Sequence, residues 1–191
     1  MKNYVFPTVD DLNDGCGVLV GNLFVTAAHV VQEHDFRLWV DGKEVRLKKD
    51  DSILFKYKQA EDGADIAVFR LEGFNSPLEF DTSTPQTDML LDSISYEHIV
   101  EGSPNTDNIF LDESRDCYKL IECNATIEEL AGNFYQCKTS VILKPGSSGS
   151  PVFHNGKVFG ILHGGQLGTN HCVFQSSSSI LTLLRQAETL K

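Results

Sequence analysis

The chain lacks an excess of basic residues, a long apolar run and paired cysteines. Its 191 residues carry 16 Lys and Arg against 27 Asp and Glu, a formal charge of −11. A nucleic-acid backbone or an anionic membrane needs a basic face, so neither is expected as a partner. No apolar stretch approaches the ~20 residues that span a bilayer. The opening "MKNYVFPTVDDLNDG" lacks the apolar core of a signal peptide. The expectation is a cytoplasmic protein, or a secreted or periplasmic one where a leader has been removed. The cysteines (Cys16, Cys117, Cys123, Cys137 and Cys172) are odd in number and include no C-x-x-C pair. That spacing argues against a structural zinc site completed by His163 or His171 and favours buried thiols. No metal or cofactor is expected. Internal repeats are absent too, and the only biased run is Ser176 to Ser179.

What is present is enough apolar material for a core: 41% hydrophobic residues against 23% charged. That balance fits one domain of ordinary size, or two small halves packed on one interface. Short apolar runs punctuated by turn residues predict β-strands. "CGVLVGNLFVTAAHVV" reads as two strands around Gly21-Asn22. "FRLWV", "KEVRLK", "SILFKY" and "DIAVFRL" follow, with turns at Asp41-Gly42 and Asp50-Asp51. Later strands are "CYKLIEC", "FYQCKTSVIL", "SPVF", "KVFGILHG" and "HCVFQS", with Asn155-Gly156 as a hairpin signal. Residues 98–116, acidic and rich in Asn and Ser, read as a surface loop. Only "SSSSILTLLRQAETLK" has helical spacing, behind a serine N-cap. The pattern is all-β, a sandwich or barrels, with a soft boundary near Ser83 to Thr87 that divides the chain into residues 1–84 and 85–191.

Three serines crowd into "KPGSSGSPVF": Ser147, Ser148 and Ser150. A Gly/Ser cluster is ordinarily a turn. Upstream, however, His29 closes the strand "FVTAAHV" beside the small Ala27 and Ala28, and Asp65 opens "DIAVF". Acyl transfer by a serine needs a base for the hydroxyl proton, a carboxylate to hold that base, and N–H donors for the oxyanion. His, Asp and Ser in this order across a two-part β chain supply all three.

"VTAAHV", "DIAVF" and "GSSGSPV" resemble the signature segments of the chymotrypsin-like (trypsin-fold) serine peptidases: T-A-A-H, D-[IL]-A and G-D-S-G-G-P. The resemblance runs from about Gly15 to the C-terminal helix. It implies two perpendicular six-stranded antiparallel β-barrels, the first carrying His29 and Asp65 and the second carrying Ser148, together forming one peptidase domain. It also implies a serine endopeptidase acting on a peptide or protein substrate, with His29 as base, Asp65 as its orienting carboxylate and Ser148 as nucleophile. Gly146 and Ser148 would then form the oxyanion hole through their backbone N–H groups.

The departures from the family carry information of their own. Val30 stands where the family often has a half-cystine beside the histidine, so Cys16 is expected to remain a thiol, which suits a reducing compartment. Ser147 replaces the Asp or Asn that precedes the nucleophile, so the family's zymogen switch is missing. Counting back from Ser148 puts Ile142 and Leu143 at the base of the specificity pocket, with Gly164 and Gly165 as its open wall, and argues against Arg or Lys at the cleavage position. "GILHGG" resembles the pocket strand of glutamyl endopeptidases and viral proteases, but His163 comes one residue late. A one-residue shift turns a side chain to the other face of a strand. His163 therefore enters the pocket, selecting Glu or Gln, only through a bulge; otherwise it sits behind the site near Asp65. An α/β-hydrolase is excluded because its elbow is G-x-S-x-G and its order is Ser, acid, His. Two other readings keep the fold: a catalytically silent binding module, and the protease domain of a larger sensing system with a regulatory partner protein or domain.

Overall fold

A computed structural model describes residues 1–9, 15–31, 35–57, 63–99, 109–111 and 117–189. The first half forms β1 (Val5–Thr8), β2 (Gly15–Val20), β3 (Leu23–Thr26), β4 (Phe36–Val40), β5 (Lys43–Leu47), β6 (Ser52–Lys56) and β7 (Ile66–Arg70). Five of these make an open antiparallel sheet in the order β1-β2-β3-β7-β6. The β4–β5 pair is a separate ribbon, joined to the end of β1 by a bridge between Val9 and Arg37. Its turn residues Asp41 and Gly42 both have positive φ (50° and 74°), the geometry of a two-residue hairpin.

The second half contributes β8 (Leu90–Ile99), β9 (Ile109–Leu111), β10 (Cys117–Ala131), β11 (Phe134–Thr139), β12 (Pro151–His154), β13 (Lys157–Gly165) and β14 (His171–Ser176), followed by helix α1 (Ser177–Thr189). Six strands close a barrel in the order β8-β10-β11-β14-β13-β12, with β12 returning to β8. Asn155 and Gly156 turn β12 into β13 at φ 51° and 76°, as their sequence predicts. The Ser176 hydroxyl accepts the Ser179 N–H and caps α1, which begins at the expected serines.

Two expectations change. The all-β reading with one C-terminal helix stands, but one six-stranded barrel is closed while the first half is an open five-stranded sheet plus a ribbon. The acidic segment expected as a loop is partly strand. β8 runs to Ile99, and β9 pairs with β10; the rest of that segment lies outside the described residues. The turn expected at Asp50-Asp51 is present, as a 3-10 turn (Lys49–Asp51).

Apolar packing welds the halves together. One buried cluster joins Val18, Val25 and Ile66 of the first sheet to Ile94, Phe153, Val158 and Ile161 of the barrel and to Ile180 and Leu184 of α1. The barrel interior is filled separately by Leu91, Ile127, Tyr135, Phe159 and Phe174. This continuous burial is the main term that fixes one half against the other. It also fixes the loops that meet at their junction.

Candidate active site

The β3–β7 ladder brings two of the predicted residues together. Thr26 pairs with Ala67, so the chain just past β3 and the chain just ahead of β7 leave the sheet at the same end. His29 follows in a 3-10 turn (Ala28–Val30), whose buried Ala27 and Ala28 pack flat and leave the imidazole partly exposed. Asp65 is buried, 4% exposed. Its Oδ2 lies 2.5 Å from His29 Nδ1, and its Oδ1 accepts the His29 backbone N–H at 2.9 Å. One carboxylate thus holds the ring and its backbone at once, which fixes the ring tautomer with a proton on Nδ1.

A third contact was outside the reach of the sequence. The Asp65 N–H donates to Gln175 Oε1 at 3.3 Å, and Gln175 Nε2 donates to Ser179 Oγ at 3.0 Å. Gln175 is 1% exposed and belongs to β14, so the second half of the molecule grips the residue that orients His29. Its only signal in the sequence was a polar residue inside an apolar strand.

Burial alone would raise the Asp65 carboxyl. The imidazoles of His163 and His29, together with the His29 backbone N–H, outweigh burial and hold the carboxyl well below its ordinary value of 3.8. His163 Nδ1 is 3.3 Å from Asp65 Oδ2, a close approach but not an aligned hydrogen bond. The His29 bond is shorter and aligned, and we assign it the larger share.

The three serines differ in what their hydroxyls do. Ser147 Oγ–H donates to Lys144 O at 2.8 Å, and Ser150 Oγ–H donates to Ser147 O at 2.5 Å; both residues are buried. Those hydroxyls brace the loop. Ser148 is partly exposed and lines a cavity of about 220 Å³ together with His29. The loop is tied down on both sides of it. Cys16 N–H donates to Ser148 O at 2.8 Å, Gly149 N–H to Leu162 O at 3.0 Å, and Leu162 N–H to Ser150 O at 2.8 Å. Gly146 and Gly149 adopt φ of 101° and 87°, conformations that favour glycine.

Leu143, His163, Gly164 and Gly165 also line the cavity. Ile142 does not: it is 54% exposed, so the count back from Ser148 brings Leu143 rather than Ile142 to the wall. Thr169, His171 and Cys172 are also part of the wall, a place the sequence did not assign to any of them. Among the described residues no group of three or more His, Cys, Asp or Glu is arranged to hold a metal ion. The described thiols of Cys16, Cys123, Cys137 and Cys172 form no disulfide. Cys117 keeps its place in β10, but its side chain lies outside the described residues. No helix among the described residues is long and apolar enough to cross a membrane.

A closed six-strand barrel beside a β-sheet, with a His–Asp pair and a serine loop at their junction, is the arrangement of chymotrypsin-like serine proteases. The chain belongs to the trypsin family, whose Trypsin profile matches residues 8–183. Similar solved structures include the scabies mite inactivated protease paralogue S-D1, at TM-score 0.71 and 15% identity over 98% of this chain and 92% of that one. Another is a Glu endopeptidase, at 0.69 and 12% over 98% and 91%. A third is the active form of the Rv3671c protease from M. tuberculosis, at 0.67 and 16% over 97% and 81%. By sequence, no curated protein matches the chain.

Proposed function

We propose that the protein is a serine endopeptidase working through an acyl-enzyme on Ser148. The observation that carries this reading is the division of labour among the three serines. The hydroxyls of Ser147 and Ser150 are committed to bracing the loop, although Ser147 also borders the cavity. The Ser148 hydroxyl has no such bond among the described residues and lines the cavity with the Asp65-held His29. In the proposed cycle, Ser148 Oγ attacks the peptide carbonyl while its proton passes to His29 Nε2. Asp65 stabilises the imidazolium, and the N–H groups of Gly146 and Ser148 stabilise the oxyanion. His29 then protonates the leaving amine, and water repeats the sequence to release the acid. The same reading takes residues 1–84 and 85–191 as the halves of one peptidase domain, with the open sheet and its ribbon standing for the first barrel.

Labelling with a fluorophosphonate tests the proposal. The reagent should modify Ser148 stoichiometrically in the folded protein and leave Ser148→Ala untouched. The silent-module reading has one neighbour behind it, the inactivated mite paralogue. It predicts no labelling in either protein.

A further inference from the structure

His163 stands at an irregularity. Leu162 pairs with Phe174, but Gly164 pairs with Val173, so two steps along β13 match one along β14 and His163 is the extra residue. A β-bulge of this kind re-aims the side chain it carries. The ring packs edge-on against Phe134, with centroids 5.4 Å apart at 63°. Its Nδ1 is buried and lies 3.3 Å from Asp65 Oδ2, the same oxygen that His29 Nδ1 approaches to 2.5 Å. The rest of the ring borders the cavity.

We propose that His163 is a positioning residue: a second imidazole that shares the Asp65 carboxylate with His29 and, through its own protonation, sets how firmly Asp65 supports His29 as a base. This rests on the acyl-transfer reading above. A lone pair on His163 Nδ1 would face an ionised carboxylate, so this nitrogen carries the proton. Oδ2 then faces two N–H groups, and its charge is divided between them. When His163 gains a second proton, a cation competes for the oxygen that must stabilise the His29 imidazolium. The two protonation events are thereby linked through one carboxylate oxygen.

The other charged groups near this ring are already engaged. His171 of β14 has Nδ1 3.2 Å from Glu128 of β10, and Lys144 has Nζ 2.5 Å from Glu97 of β8. The Cys172 thiol, on β14, is pushed up by burial, against a smaller opposing effect from Thr139, and stays neutral. Asp65 and His29 are therefore the groups through which His163 acts.

The test compares wild type, His163→Ala and His163→Asn by fluorophosphonate inactivation rate across pH, by peptide kinetics, and by NMR titration of the His29 ring. Thermal melts establish that each variant folds. In His163→Ala, His29 should hold its proton to higher pH, and the acid limb of reactivity should narrow to one ionisation and move upward. A displacement of half to one unit makes the rate on that limb about 3- to 10-fold lower. His163→Asn restores an amide N–H where Nδ1 stood. It should return the limb toward its wild-type position while keeping the single-ionisation shape. Superimposable pH profiles and an unmoved His29 titration in folded His163→Ala would overturn the proposal. So would a change confined to peptide selectivity, which would make His163 a pocket wall. A moved His29 titration in a protein that fluorophosphonate never labels would uphold the coupling and sink the peptidase reading alone.

Discussion

The backbone N–H of Cys16 donates to the carbonyl oxygen of Ser148 across 2.8 Å, so strand β2 of the open sheet holds the loop that follows the barrel's β11. The contact is this close because Gly149 has no side chain. A Cβ there would stand 2.0 Å from Cys16 O and 2.5 Å from Thr26 Oγ1, and the residue has φ 87°. Cys16 O already accepts the Thr26 hydroxyl at 2.6 Å, and the strands behind it are paired, so the wall cannot retreat.

Gly149→Ala should therefore be severe. The backbone strain and the collision together cost about 3 kcal/mol or more, which in a chain of this size lowers Tm by roughly 6–12 °C. Ser148 reactivity should fall with it, because the loop loses its seat. A melt within 2 °C of wild type would show that the loop has more room than this geometry allows.

Much of this was legible in the sequence, for local reasons. Asn155-Gly156 and Asp41-Gly42 announce their hairpins because few other pairs tolerate two positive φ values. The serines ahead of α1 announce its start. β1 and β8 were not legible. Pro7 sits inside β1, tolerated only because that strand is an edge of its sheet. In β8 the buried faces include Ser93 and Ser95, which break the apolar alternation. The placement of His163 depended on a bulge, and the grip of Gln175 on Asp65 spans 110 residues of chain. Neither leaves a local signal.

The three loop serines should separate by assay. On the proposed mechanism Ser148→Ala lowers kcat by about 10⁶-fold with an unchanged melt. Ser147→Ala and Ser150→Ala instead remove a brace each, costing about 1 kcal/mol of stability and little activity. Equal losses of kcat at Ser147 and Ser148 would mean that the wrong hydroxyl has been assigned.

Acid should destabilise the fold through Asp65. Its carboxyl is held below 3.8 in the folded protein and returns to the ordinary range on unfolding. The unfolded state therefore binds the proton more readily. The stability this carboxylate supplies is fully present above that ordinary value and is lost as pH falls below it toward the depressed folded value. Thermal melts between about pH 5 and pH 3 should show wild type losing more stability than Asp65→Asn, whose side chain does not titrate. Parallel losses in the two proteins would assign the acid sensitivity to other carboxyls.

Thiol chemistry gives a separate check. Burial pushes the Cys137 thiol up to about 12 and the Cys123 thiol to about 11, with Cys172 adding to both. Little thiolate exists at neutral pH, so alkylation of the native protein at these sites should be slow. After denaturation without reductant, all five cysteines should react. Two or four that stay silent until reductant is added would reveal a disulfide and overturn the assignment of free thiols.

The cavity wall bears on the substrate. Leu143, Gly164 and Gly165 offer an apolar and open surface, and the ionisable groups lining the cavity are His29, Lys144, His163, His171 and Cys172, with no carboxylate among them. A substrate ammonium or guanidinium seated here would lose its water and gain no opposite charge, a transfer that is costly for an unpaired ion. The overall charge of −11 attracts basic peptides to the surface, but long-range attraction raises encounter rates without choosing the side chain in the pocket. Profiling with a peptide library should therefore show uncharged residues at the cleavage position favoured over Lys and Arg. A preference for Glu or Gln that is lost in His171→Ala would give that histidine the recognition role expected of a bulged His163. Efficient cleavage after Lys or Arg would mean that the substrate side chain lodges somewhere other than this cavity.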